Sequence, residues 1–413
     1  MNNEFKRKLQ EREFAVLKNE QRVVLKWATG CGKSKMTIDL INHVADTLSA
    51  IFTPVRVLFL VAERAHIQNW EGEFDKWQLR RDVISTDVAC YASMHKYKEY
   101  EYDIIVLDEA HHVFTDKRMA ILNDMPQSQW QHVYLLSATL SSGKVDMVEE
   151  IFGKFTTSTV TLKDAIKEDI LPDPKVYVVG MELDNKLRHQ EIKIGNNPNA
   201  PVVKWEDRNK YIFKNIPCII QCTEFQKNAY LSEKVQYWND RFSRSHNEFH
   251  RIQGARYGSE RKRFLGELKT GIVRELIKMI PRKRRFVCFC ASVAQADSLS
   301  KENTISSKKP TKYNQLIIDA FNAKKIHNLY AVGMITEGMN LTEIQTGIIT
   351  QLDGKERLFL QKFGRVLRAD FPTIIIFYFK NTQDENYLKN ALENIDEKFI
   401  QRININQLNN IKL

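Results

Sequence analysis

Six cysteines among 413 residues are too few to staple a fold of this size. Cys288 and Cys290 alternate within RRFVCFCAS, while Cys218 and Cys222 stand four apart with no partnering Cys or His pair at zinc-finger spacing. Buried free thiols are the expectation. Long apolar runs are missing too: no stretch reaches the roughly 18 residues a membrane helix needs, so no membrane partner is expected. The start, MNNEFKRKLQEREF, is charged and helical in pattern and lacks the apolar core of a secretion signal, which predicts an intracellular, cytoplasmic protein. Low-complexity bias and repeats at solenoid periods are also absent.

What is present is the composition of a globular chain, 43% hydrophobic and 27% charged, long enough for about two or three domains. The net charge of +11 is unevenly spread: residues 241–285 hold 14 Lys and Arg against 4 Asp and Glu, a net of +10. A concentrated basic stretch is the electrostatic footprint of a protein that binds phosphate backbones. A solvated helical face carries the same charge, and charge alone leaves both readings open.

Apolar runs recur at intervals suited to a parallel sheet. RVVLKW (22 to 27), VRVLFLVA (55 to 62), YDIIVLD (102 to 108) and HVYLLSA (132 to 138) are apolar on both faces, as strands covered by helices must be. Between the first two, SKMTIDLINHVADTL repeats its apolar residues at close to a helical period. After KEDILPDPK a second set begins: KVYVVGM, RRFVCFCAS, NLYAVGM, TGIITQL and TIIIFYF. Two α/β domains are predicted, residues 1–168 and 169–413, each a doubly wound parallel sheet. The second is interrupted by residues 184–283, polar and turn-rich at first, then helical, aromatic and basic.

The first strand runs into WATGCGKS. A phosphate loop reads Gly, four residues, then Gly-Lys-Ser, and Gly32-Lys33-Ser34 fits while Trp27 stands at the first glycine. Gly30 and Gly32 supply the turn, Lys33 suits the β and γ phosphates, and the Ser34 hydroxyl suits Mg²⁺. A second strand ends in Asp108 and Glu109, placed to hold the metal and to orient and deprotonate an attacking water. Far along the chain, FLQKFGRVLRAD offers Gln361, Arg365 and Arg368; arginines three apart share a helix face and suit a developing γ-phosphate charge.

In order, ATGCGKS, LVAERAHIQNW, VLDEAHH, LSATL, FCASVAQADSL, TEGMNL and QKFGRVLR resemble motifs I, Ia, II, III, IV, V and VI of the superfamily 2 helicases and translocases. The similarity is to the DEAH-type group that includes restriction-enzyme and phage DNA-repair helicases. It implies two RecA-like domains with a mostly helical basic insertion in the second, and an ATPase stimulated by nucleic acid. It also implies roles. Thr29, Gly30, Cys31, Gly32, Lys33 and Ser34 would bind ATP, with Mg²⁺ on Ser34 and Asp108. His111, Ser137 and Thr139 would couple nucleotide state to the neighbouring domain, and Gly338 and Asn340 would sense nucleotide and strand together. Gln361, Arg365 and Arg368 would complete the catalytic set.

Arg64, Gln68 and Ser292 would lie along the nucleic-acid track, and Gln10 in KLQEREF, with Arg12, is the candidate adenine reader. In the insertion, Arg261, Lys262 and Arg263 are the expected duplex contacts. Glu267 and Lys269 in GELKT form an acidic-x-Lys fragment of the kind found in nucleases, but the context reads as helix. The leading expectation is an ATP-dependent DNA helicase or double-strand translocase in repair, recombination or replication, in the host cytoplasm if phage-encoded. An RNA helicase and a scaffold without catalysis are the alternatives, and DNA is favoured over RNA as partner.

Overall fold

The computed structural model describes residues 3–49, 54–333, 341–354, 363, 364, 366, 367 and 369–413. In the first domain β1 (Arg22–Trp27), β2 (Val55–Val61), β3 (Ile84–Cys90), β4 (Ile104–Asp108), β5 (His132–Leu136) and β6 (Thr156–Val160) form one parallel sheet in the order β3-β2-β4-β5-β1-β6. Around it lie α1 (Asn3–Leu17), α2 (Lys33–Leu48), α3 (Arg64–Lys76), α4 (Asp116–Asn123), α5 (Ser142–Phe152) and α6 (Leu162–Lys167). Alternate residues of one strand enter opposite cores: Val23 and Leu25 pack on one side, Val24 on the other. Burial on both faces is why these strands are continuous apolar runs.

The second domain opens with β7 (Lys175–Met181) and then departs into the insertion. Its polar, turn-rich beginning holds a small sheet that the sequence texture did not suggest: β8 (Gln190–Ile194), β9 (Val202–Lys204) and β10 (Cys218–Cys222), with β10 central, antiparallel to β8 and parallel to β9. The short helix α7 (Arg208–Phe213) precedes β10. Two long helices follow, α8 (Glu224–Ser245) and α9 (Glu248–Leu268), packed as a hairpin. Thr223 and Gln226 close α8 with a reciprocal capping box, His246 ends it in the left-handed region at φ 50°, and the Asn247 side chain caps α9. Gly254 lets the helices approach: a Cβ there would lie 2.7 Å from Asn239 Oδ1.

The chain then returns through α10 (Thr270–Met279), β11 (Phe286–Phe289), α11 (Val293–Leu299), β12 (Thr304–Ser306), α12 (Thr311–Asn322), β13 (Asn328–Val332), β14 (Thr346–Ile349), β15 (Thr373–Phe379) and β16 (Ile400–Asn404). With β7 these strands make a parallel sheet in the order β12-β13-β11-β14-β15-β7-β16. The molecule is two parallel-sheet RecA-like domains with the small sheet and helical hairpin inserted in the second.

The root of the hairpin is fixed to the carboxyl edge of the second sheet. Lys269, fully buried, donates to Asp384 Oδ2 at 2.6 Å and to Gln351 Oε1 at 3.1 Å, and Gln351 donates to Asp384 Oδ1 at 2.6 Å. Burial pushes the Lys269 pKa down while the Asp384 carboxylate opposes that shift. Gln295 Nε2 donates to the Gly266 carbonyl at 2.6 Å, and a Cβ on Gly266 would stand only 2.1 Å from that of Ala291. Lys269 and Glu267 of GELKT are thus occupied in this joint, Glu267 accepting from the Ser292 hydroxyl at 2.6 Å.

Candidate active site

Adjacent strands β4, β5 and β1 end almost level, with Leu136 paired to Asp108 on one side and to Leu25 on the other. Their carboxyl ends therefore bring together the loop after Trp27, the acidic pair at Asp108 and the turn at Ser137. Gly30 and Gly32 both have φ 96°, a conformation that disfavours other residues. Gly32 is the N-cap of α2 and offers no side chain, so the first N–H groups of this helix remain available to an anion. A Cβ on Gly32 would also strike Gln10 Nε2 at 2.3 Å, and that amide sits 3.4 Å from the Gly32 carbonyl. The candidate adenine reader is thus packed against the loop.

Trp27 is fully buried, its indole N–H donating to Ser158 Oγ at 2.7 Å, and Ser158 donates in turn to Glu13 Oε2 at 2.6 Å. It anchors the strand's end from beneath. Its carbonyl accepts from the Lys33 ammonium at 2.8 Å, which holds that side chain across the loop. Cys31 is buried, and burial raises its thiol pKa to about 11. Thr29 and Ser34 are half-buried at the loop's two ends.

Two aromatic residues hold Asp108. Trp70 Nε1 donates to Oδ2 at 2.9 Å, and the Tyr91 hydroxyl donates to the Asp108 carbonyl at 2.9 Å. Oδ1 accepts the Glu109 N–H at 3.0 Å. Glu109 takes φ 48°, the left-handed region, turning the chain out of β4 into a short 3₁₀ turn; such strain in a non-glycine residue is concentrated at functional positions. The His111 ring, nearly buried, brings Nδ1 to 3.3 Å from Glu109 Oε2. Ser137 is buried next to β1, its N–H donating to the Leu25 carbonyl at 3.1 Å while its hydroxyl accepts from Thr139 N–H at 3.2 Å.

The second domain reaches this edge. A Cβ on Gly364, in the QKFGRVLR segment, would lie 2.7 Å from Thr29 Cβ, and the Gly364 carbonyl is near Gly30. Gly338, Asn340, Gln361, Arg365 and Arg368 lie outside the described residues.

Arg64 and Gln68 are exposed, one turn apart at the start of α3. They line a groove of about 610 Å³ with Cys90, Ser93, His95 and Lys96, of which the last three had no signal in the motif pattern. The other expected contacts fall differently. Ser292 is buried as the N-cap of α11, accepting from Gln295 N–H. Arg261 is buried between the hairpin helices and donates to Ser232 Oγ at 3.1 Å; Lys262 is paired with Asp353 at 2.8 Å; only Arg263 of the triplet is exposed. Arg261 packs inside the hairpin because α9 turns its Gly254 side, with Arg261 two turns on, toward α8, while Ser292 closes the start of α11. No described helix is long and apolar enough to cross a membrane.

Residues 2–89 match the family described as type III restriction enzyme, res subunit, and residues 268–370 match the helicase conserved C-terminal domain. No curated protein matches the chain. Among solved structures, S. cerevisiae Dbp5 bound to RNA and ADP BeF3 is similar with a TM-score of 0.58 at 12% identity, over 98% of this chain and 91% of that one. The Hef helicase domain of Pyrococcus furiosus is similar with a TM-score of 0.51 at 13% identity, over 92% of this chain and 96% of that one. At such identities the likeness speaks to the shared two-domain fold.

Proposed function

We infer, from a chain that is a superfamily 2 helicase in motif order and build, a motor that couples ATP hydrolysis to movement on DNA. The observation that carries this is the level carboxyl edge of β4, β5 and β1, which gathers Lys33, Asp108, Glu109 and Ser137, with Gly364 of the second domain pressed on Thr29. Two glycines at positive φ and an uncapped helix N-terminus form a cradle that fits a phosphate chain.

In this reading residues Thr29 to Ser34 bind the phosphates of ATP, and Ser34 and Asp108 hold Mg²⁺, which when bound neutralises charge developing between the phosphates. Trp70 and Tyr91 fix the Asp108 carboxylate and backbone for that task. Glu109 orients a water and takes its proton, and His111, 3.3 Å away, links that carboxylate to the turn beyond it. Ser137 and Thr139, tied to each other and to β1, relay nucleotide state across the cleft. Gly338, Asn340, Gln361, Arg365 and Arg368 act from the second domain, the arginines on the γ-phosphate. Closure of the domains thereby becomes a condition of hydrolysis.

Arg64 and Gln68 grip the backbone from the groove on the first domain. The match of residues 2–89 to a restriction-enzyme subunit supports DNA as the track, and the DEAH-type motif II belongs to the same reading. A work context in repair, recombination or replication follows for such a motor. The test is ATP hydrolysis by the full chain with single-stranded DNA, duplex DNA, forked DNA or RNA as stimulator. DNA is expected to stimulate most; stimulation by RNA alone would make the protein an RNA helicase, and none by any of them would remove the motor.

A further inference from the structure

Along α8, residues 227, 230, 234, 237, 241 and 244 are Lys, Tyr, Lys, Tyr, Arg and Arg. Steps of three and four place all six on one helix face. The structure shows the alternation as contact: Lys234 lies 5.5 Å from the Tyr230 ring and 6.0 Å from that of Tyr237, and Arg241 lies 5.1 Å from Tyr237. The inner end of the stripe is structural. Lys227 covers Phe264, and Tyr230, 6% exposed, joins the core with Ile220 and Leu265 and has Glu260 nearby.

The outer end faces solvent. Tyr237 is 47% exposed and Arg241 and Arg244 are exposed. Lys234, Arg241 and Arg244 have no ion pair among the described residues, whereas Arg251 is paired with Glu248 and Lys262 with Asp353. The exposed acids of α8, Glu233 and Asp240, border the stripe at helical spacing from Tyr237 and Arg244, yet neither forms an ion pair with its cations among the described residues, and Asp240 accepts from Gln236. Three cations without an ion pair among the described residues, with one ring between them, therefore extend over about 15 Å of helix.

Cations that reach solvent without carboxylate partners are free to take phosphates as counter-ions, and a ring held between two of them can pack on sugar or an end base pair. The support is rigid. The hairpin is close-packed at Gly254 and rooted through Lys269, Gln351 and Asp384 in the second domain, so the stripe must move with that domain. We propose that Lys234, Tyr237, Arg241 and Arg244 form a docking stripe for the backbone of the DNA duplex on which the motor works. This rests on the motor reading and adds a grip carried by the second domain.

The test uses the full chain, a fluorescent duplex and a single strand, with anisotropy read across salt concentrations. Lys234→Glu, Arg241→Glu and Arg244→Glu together are expected to weaken duplex binding about tenfold or more and to flatten the log–log salt slope by about 2 to 3. Lys301→Glu with Lys312→Glu, exposed in the second domain outside the insertion, is expected to change duplex affinity less than about twofold, and the triple stripe variant is expected to change single-strand-stimulated hydrolysis by no more than that. If the triple variant melts early, Lys234→Gln with Arg241→Gln is expected to weaken duplex binding about threefold.

Unchanged duplex affinity and slope in a folded stripe variant would overturn the proposal, as would a larger loss in the Lys301 and Lys312 variant. Displacement of duplex by polyglutamate at equal charge would also overturn it, in favour of an acidic protein partner. A wild-type protein that hydrolyses ATP with DNA while the stripe variant binds duplex normally loses only the stripe; one with no DNA-stimulated hydrolysis loses the motor reading itself.

Discussion

The two parallel sheets are built alike and finish differently at their carboxyl edges. On the first sheet, the edge ends in glycines at positive φ, an uncapped helix and an acidic pair set out by a strained turn. On the second, polar groups at the edge satisfy one another: Lys269 with Asp384 and Gln351, Ser292 with Glu267, Gln295 with Gly266. The same architecture leaves a helix start without a side-chain cap where a ligand is to be held, and closes its polar groups on one another where another part of the chain must be held. The contrast predicts that substitutions at the first edge cost activity and those at the second cost stability.

Glu109→Gln carries the largest expected effect at the acidic pair, a loss of about 10² to 10⁴ in DNA-stimulated turnover, because the water loses its base. Its thermal unfolding is expected to match wild type, and a lowered melting temperature would blur the contrast. Lys269→Ala inverts the pattern. Leaving Asp384 buried without its partner is expected to cost about 3–5 kcal/mol of second-domain stability in denaturant unfolding. A Lys269→Ala protein of normal stability and no ATPase activity would reverse the roles assigned to the two edges.

A smaller effect tests contact between the domains. Gly364→Ala puts a methyl 2.7 Å from Thr29 Cβ, so the second domain must withdraw from the loop. About a tenfold loss in turnover is expected with nucleic-acid binding retained, since misplacement of this size weakens positioning. The remaining effect is one of pH and vanishes at neutrality. Burial and the nearby Arg22 charge lower the His132 pKa to about 4, so the folded state resists the proton that the unfolded chain accepts near 6.5. Stability is full above that unfolded value and falls by up to about 1.4 kcal/mol per pH unit on the way down to the folded one. His132→Gln should flatten that limb of an acid-unfolding curve.

The central strands were legible because burial on both faces leaves only apolar residues, and 22–27, 175–181 and 373–379 coincide with strands in the structure. Edge strands were not: TTSTV, ISTDVAC and IQRIN have one side against a neighbour and the other toward polar surroundings, so they carry no apolar run. The loop and acidic pair were legible because their chemistry dictates residue type at fixed spacing. Trp70 and Tyr91, which hold Asp108, were not, since a supporting hydrogen bond can come from any element that reaches. The burial of Arg261 had a signal that charge counting overlooks. Gly254, Gly258, Arg261 and Leu265 recur at steps of four, three and four, which marks them as the inward face of α9.

The most direct test of the account is the rate of ATP hydrolysis by wild type and Lys33→Ala, each with and without DNA. The account predicts that DNA accelerates the wild-type reaction and that Lys33→Ala hydrolyses no ATP in either condition. Hydrolysis by Lys33→Ala at the wild-type rate, or a wild-type rate indifferent to nucleic acid, would contradict it.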